Sequence, residues 1–146
     1  MAVTAKWYGL GLRAFARKEV DWGNDAIKAL LTTSGYTPNQ DTHAYKSDLT
    51  NELAATGGYT AGGIALTGLN ISYDGANNRL ILDANDISWP TATFTARNLI
   101  VYDNTPSTDA TRPLLGYVDF GADQTPGGIT FSVVWDALGV LNLAAA

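Results

Sequence analysis

Thr93-Phe94-Thr95-Ala96-Arg97-Asn98-Leu99-Ile100-Val101-Tyr102 is the longest run in the chain that reads as a β-strand. Phe94, Ala96, Asn98, Ile100 and Tyr102 fall on one side, and Thr95, Arg97, Leu99 and Val101 on the other, because successive strand side chains point to opposite faces. Downstream, residues 103–113 form a polar loop with two prolines, and 114–120 read as another strand. A turn at 123–128 separates that strand from 129–135, and 140–143 closes the series. Upstream, 87–89 is a short strand ended by Pro90. Asp74-Gly75-Ala76-Asn77-Asn78 is a hairpin signal between strands at 69–73 and 79–82, and 64–66 precedes them across a turn at Gly68. Many short strands with turns between them predict an all-β, single-domain β-sandwich or jelly-roll-like fold. The strand order does not follow from the pattern.

The first half of the chain is less uniform. Residues 26–33 read as a strand, with Ile27, Ala29 and Leu31 alternating against Lys28 and Leu30. Tyr45, Leu49 and Leu53 are spaced four apart, which predicts one short helix around 44–54. Residues 6–17 fit a strand or, over 12–20, a short helix with Leu12, Phe15, Ala16 and Val20 along one side. Gly9 and Gly11 favour the strand, because glycine weakens a helix start. This assigns residues 1–20 to an extended N-terminal arm or first strand, and 21–146 to the β-sandwich domain.

The 146 residues include no cysteine, so neither a disulfide nor a thiolate enters the chemistry. Charged residues make up only 16%, below the usual quarter, so much of the surface is weakly hydrated and suited to contact. The net charge of -5 argues against free nucleic acid as a partner, since phosphate binding needs a basic footprint. No stretch is long and apolar enough to span a membrane, and the start lacks the pattern of a signal peptide. Residues 1–28 carry a balance of +2 and residues 29–146 a balance of -7, so the two parts are expected to face different surroundings.

Little in the sequence serves catalysis. His43 is the one histidine, and no serine sits in a G-x-S-x-G turn. Zinc would need several Cys or His ligands. Asp83-Ala84-Asn85-Asp86 gathers oxygen donors that suit either calcium or, more simply, an Asx-rich turn. Gly9-Leu10-Gly11 lacks the third glycine of a dinucleotide fingerprint, and the Gly57-Gly58 and Gly62-Gly63 pairs serve conformation. No catalytic residue, metal ligand or cofactor is assigned, and the chain is read as no enzyme. In the strand reading of 6–17, Trp7, Arg13, Phe15 and Arg17 share one face. Aromatic and Arg side chains are enriched at interfaces, so these four are the candidate docking residues for an acidic partner surface.

Two stretches carry a resemblance. One is Tyr36-Thr37-Pro38-Asn39-Gln40-Asp41-Thr42-His43 with Ser47-Asp48 shortly after. The other is Gly58-Tyr59-Thr60-Ala61-Gly62-Gly63 followed by Ile64-Ala65-Leu66-Thr67. With the strand at 27–33 and the closing strands, residues 22–143 resemble small structural proteins encoded among the head genes of tailed phages. The resemblance implies a β-rich decoration or cement protein, made in the host cytoplasm. It implies binding to the outer capsid surface as a homotrimer that clamps neighbouring major capsid protein subunits. It implies no cofactor, no nucleic acid and no membrane. A tail, neck or fibre-like structural protein is the alternative in the same setting. A carbohydrate-binding β-sandwich module is the alternative outside it.

Overall fold

A computed structural model describes residues 2–145; Met1 and Ala146, the ends of the two assigned segments, lie outside them. In chain order the strands are β1 (Ala2–Val3), β2 (Lys6–Trp7), β3 (Ile27–Thr32), β4 (Ile64–Ala65), β5 (Asn70–Asp74) and β6 (Arg79–Asp83). They continue as β7 (Ile87–Ala92), β8 (Ala96–Asp103), β9 (Leu114–Gln124), β10 (Ile129–Trp135) and β11 (Leu141–Ala144). One α-helix, α1 (Gly9–Ala16), sits between β2 and β3. The strands form three sheets, ordered β2-β9-β8-β3-β4, β1-β10-β7 and β11-β6-β5. The fold is the all-β, sandwich-like single domain expected from the alternation.

The run that anchors the sequence reading becomes β8, at the centre of the five-stranded sheet. It pairs antiparallel with β3 and β9, so Leu99 faces Leu31 and Val118, and Ile100 faces Leu30 and Tyr117. All of β8 except Arg97 is buried, and so is all of β3 except Lys28. A strand buried on both faces needs a layer on each. On the face carrying Asn98 and Tyr102 that layer includes the long connection 33–63. Asn98 Nδ2 donates to Thr32 Oγ1 and to the Tyr36 carbonyl at 3.1 and 3.0 Å, and Tyr102 Oη donates to the Gly62 carbonyl at 2.7 Å. The buried polar groups of this face are therefore hydrogen-bonded rather than stranded.

The N-terminal segment departs from the expected extended arm. β1 runs parallel to β10, and β2 runs antiparallel to β9, so residues 2–7 pass from one sheet to another. Residues 9–16 are helical despite two glycines. Packing decides against propensity here. A Cβ on Gly11 would lie 2.6 Å from the Leu114 carbonyl oxygen, so only glycine lets the helix approach β9 this closely. The helix ends with the Glu19 N–H on the Ala14 carbonyl and the Lys18 N–H on the Phe15 carbonyl, with Lys18 at φ +60°. That is the usual αL helix stop, made here without glycine.

The helix expected around 44–54 is absent as well: the chain forms one 3-10 turn, Lys46–Asp48. The Asp48 carboxylate accepts the N–H groups of Ala44 and Tyr45, offering the backbone a local alternative to helix. Asn51 then takes φ +58°, and Leu53 donates its N–H to the Leu31 carbonyl. The four-residue spacing of Tyr45, Leu49 and Leu53 marks contacts with the body, without a helical face.

The hairpin of β5 and β6 matches its sequence signal. Asp74 Oδ1 accepts the N–H groups of Ala76 and Asn77, and Asn77 Nδ2 donates to Asp74 Oδ2 at 2.7 Å. These bonds hold the Asp74 carboxyl below the usual carboxylate range.

Candidate interaction site

An apolar groove of about 790 Å³ lies between α1 and the sheet β11-β6-β5. One wall is the helix, through Leu12, Phe15 and Ala16. The floor holds Trp7, Val20 and Trp22. The opposite wall is the sheet β11-β6-β5, through Ile71, Leu80, Leu82 and Leu143. Lys18 and Asp21 are the charged residues at its margin.

Strand register explains the apolar wall. Ile71 pairs with Leu82 and Leu82 with Leu141, while Tyr73 pairs with Leu80 and Leu80 with Leu143. These two rows share one face, and Ser72, Ile81 and Asn142 share the other. Leu82 and Leu141 are buried under the body, whereas Ile71, Tyr73 and Leu143 are 52%, 59% and 43% exposed. An apolar sheet face that continues past its cover is the kind of surface that marks contact with a partner.

The aromatic floor is held in place by polar contacts. Trp7 Nε1 donates to the Asn142 carbonyl at 2.7 Å, and Gln40 Nε2 donates to the Trp7 carbonyl at 2.6 Å. The Trp7 and Phe15 rings meet edge to face with centroids 5.6 Å apart. Trp22 Nε1 donates to the Asp83 carbonyl at 3.1 Å. Trp22, Trp89 and Trp135 are buried, whereas Trp7 is half-buried.

Of the four candidate docking residues, Trp7 and Phe15 come together in the groove. Arg13 and Arg17 do not join them, which corrects the single-face expectation. On a helix, Phe15 lies about 200° around from either arginine, at about 100° per residue. Arg13 is exposed in the last helical turn, where a cation suits the helix dipole. Arg17 lies 3.4 Å from Glu19, with its side chain 57% exposed. The basic pair and the aromatic pair thus face different directions. Sequence reasoning missed Leu12, Ile71, Leu80 and Leu143. The alternation of Ile71 and Tyr73 with Asn70, Ser72 and Asp74 was the available signal.

Other chemistry-bearing groups are engaged in structure. His43 Nδ1 accepts the Asn39 N–H at 3.2 Å and lies 2.8 Å from Tyr36 Oη, with its ring stacked on the Tyr36 ring. Tyr36 Oη is in turn 2.8 Å from Tyr8 Oη, deep in the core. Burial pushes the Tyr8 hydroxyl far above its ordinary value and pushes Tyr36 up to about 12. In the 83–86 segment, Asp86 Oδ1 accepts the Trp135 N–H and Asn85 Nδ2 donates to Thr67 Oγ1. Among the described residues, no three His, Cys, Asp or Glu side chains gather where they could hold a metal ion.

One buried acid stands apart. Asp103, at the end of β8, is fully buried. Its Oδ1 accepts the Thr105 N–H at 2.9 Å, while its Oδ2 has no hydrogen-bond partner among the described residues. Burial, with Asp25 beside it, pushes its pKa up to about 6.

Compared with protein-family models, with curated proteins and with solved structures, the chain matches none.

Proposed function

We propose that the chain is a non-enzymatic structural protein of a tailed-phage virion. In this reading it binds the outer capsid surface and cements neighbouring major capsid protein subunits. The observation that carries it is the open apolar groove, floored by Trp7 beside Phe15 and walled by the exposed residues of β5 and β11. Such a surface gains free energy by excluding water against another protein. Aromatic anchors in a pocket are the usual hot spots of such contacts. The low charge content supports the same role.

Mass spectrometry of purified particles, with copy-number estimation, tests the reading. Copies should associate with heads in numbers that scale with the number of major capsid protein subunits. Phe15→Ala should weaken rebinding of the protein to stripped heads, with its circular dichroism unchanged. Absence from heads, or a few copies confined to tails, would remove the proposal.

A further inference from the structure

The edges of the three sheets are unequal. β1, β2 and β4 are two residues long, too short to template another strand. β7 carries Pro90, which cannot donate to a ladder. The outer side of β11 is crossed by the N-terminal segment, through the Ala5 N–H on the Val140 carbonyl and the Trp7 indole on the Asn142 carbonyl. β5 is different. It has five residues, no Pro, no Lys or Arg, and no bulge against β6. Beyond the β6 ladder, the backbone of residues 70–73 has no partner among the described residues. Natural sheets rarely leave such an edge open, because it recruits another strand.

We infer that β5 pairs with β5 of a second copy of this chain, antiparallel about Ser72, joining two three-stranded sheets into one of six strands. The register is self-complementary, as a two-fold contact requires. Ser72 faces its symmetry mate, Ile71 faces Tyr73 of the other copy, and Asn70 faces Asp74. This pairing engages all five residues of β5. It also sets the one acid of the strand against an amide rather than a carboxylate, avoiding a like-charge pair. On the groove side, the row Leu141-Leu82-Ile71 continues into Tyr73, Leu80 and Leu143 of the second copy. Exposed Ile71 and Tyr73 thereby gain apolar neighbours across the new ladder.

The two-fold axis of an antiparallel pair runs perpendicular to the sheet, so both apolar faces point the same way. The dimer presents two grooves to one side. A partner surface with two sites would then be held bivalently, at high effective concentration. The pairing itself does not rest on the virion reading, because the isolated chain suffices to test it.

Sedimentation and single-cysteine cross-linking of the full chain provide that test. The protein has no cysteine, so Ser72→Cys introduces a unique thiol. The wild type should show a concentration-dependent monomer–dimer equilibrium. Ile71→Lys and Tyr73→Lys, at positions already exposed, should each weaken it by about tenfold or more while leaving circular dichroism unchanged. Ser72→Cys should be bridged into a dimer by oxidation or a short bis-maleimide, and Thr130→Cys on β10 should not. A monomer at every concentration, a trimer, or a dimer indifferent to both lysine variants would overturn the inference. So would equal cross-linking at positions 72 and 130. Cross-linking at 72 only when particles are present would point to a strand from another protein, and would overturn it too.

Discussion

Replacing Asp103 by Asn should stabilise the protein near neutral pH and flatten its stability between about pH 4 and 6. The carboxyl is fully buried, and its value rises from 3.8 to about 6. Below pH 4 both the folded and the unfolded chain hold this proton, and above pH 6 both have lost it. Between those limits the unfolded chain has released the proton and the folded chain has not. Stability therefore falls as pH rises through the window, and the full cost remains above it. About two units at 1.36 kcal/mol each set a ceiling of roughly 3 kcal/mol. Relaxation and water entry around the charged form lower this, so a gain of about 1–3 kcal/mol is expected at pH 7.5. Asn keeps an oxygen for the Thr105 N–H and adds a donor that can face Asp25. At 2–4 °C per kcal/mol, the melting temperature should rise by roughly 2–12 °C. Thermal and urea unfolding of both proteins from pH 4 to 8 measure this directly. Asp48, Asp74, Asp109 and Asp119 are held below their ordinary value, so their contributions disappear only on acidification below that value. They change stability with the opposite sign, in a different window. Parallel pH curves for the two proteins, or an Asn variant less stable at pH 7.5, would refute the reasoning.

Three further substitutions probe the framework. Gly11→Ala should destabilise by about 1–3 kcal/mol in urea unfolding, although alanine is the better helix former, because its Cβ meets the backbone of Leu114 and Leu115. Lys18→Gly should add about 0.5–1 kcal/mol by relieving the left-handed backbone at the helix stop, read as a shift of the urea midpoint at unchanged slope. Asn98→Ala should cost about 2–4 kcal/mol, since it leaves Thr32 Oγ1 and the Tyr36 carbonyl without their buried donor; a calorimetric melt measures the loss.

Where pairing alone decides, the sequence was readable. The alternation of 93–102 identified β8, and the Asp74–Asn78 turn located the hairpin, because both signals are local. The departures arise where distant backbone overrides local preference. Gly11 argues against a helix until Leu114 is seen pressed against it. Leu49 and Leu53 mimic a helical stripe until Leu53 is seen bonded to Leu31. The candidate site was half legible for the same reason. Trp7 and Phe15 were named as contact residues, yet reading α1 as a strand put Arg13 and Arg17 beside them. The opposite wall depended on which strands meet, and no local pattern carries that.

Residues 2–7 are held by partners near the other end of the chain: Val134 and Trp135 beside β1, and Gly139 accepting the Thr4 hydroxyl across 135 positions of sequence. At typical synthesis rates of about 5–20 residues per second, those partners leave the ribosome roughly 7–27 s later. Residues 2–7 must therefore wait, unpaired, for these partners. Contacts of such high sequence separation close slowly, so the final folding step should be the docking of residues 2–7, which stay open to proteases and chaperones until it occurs.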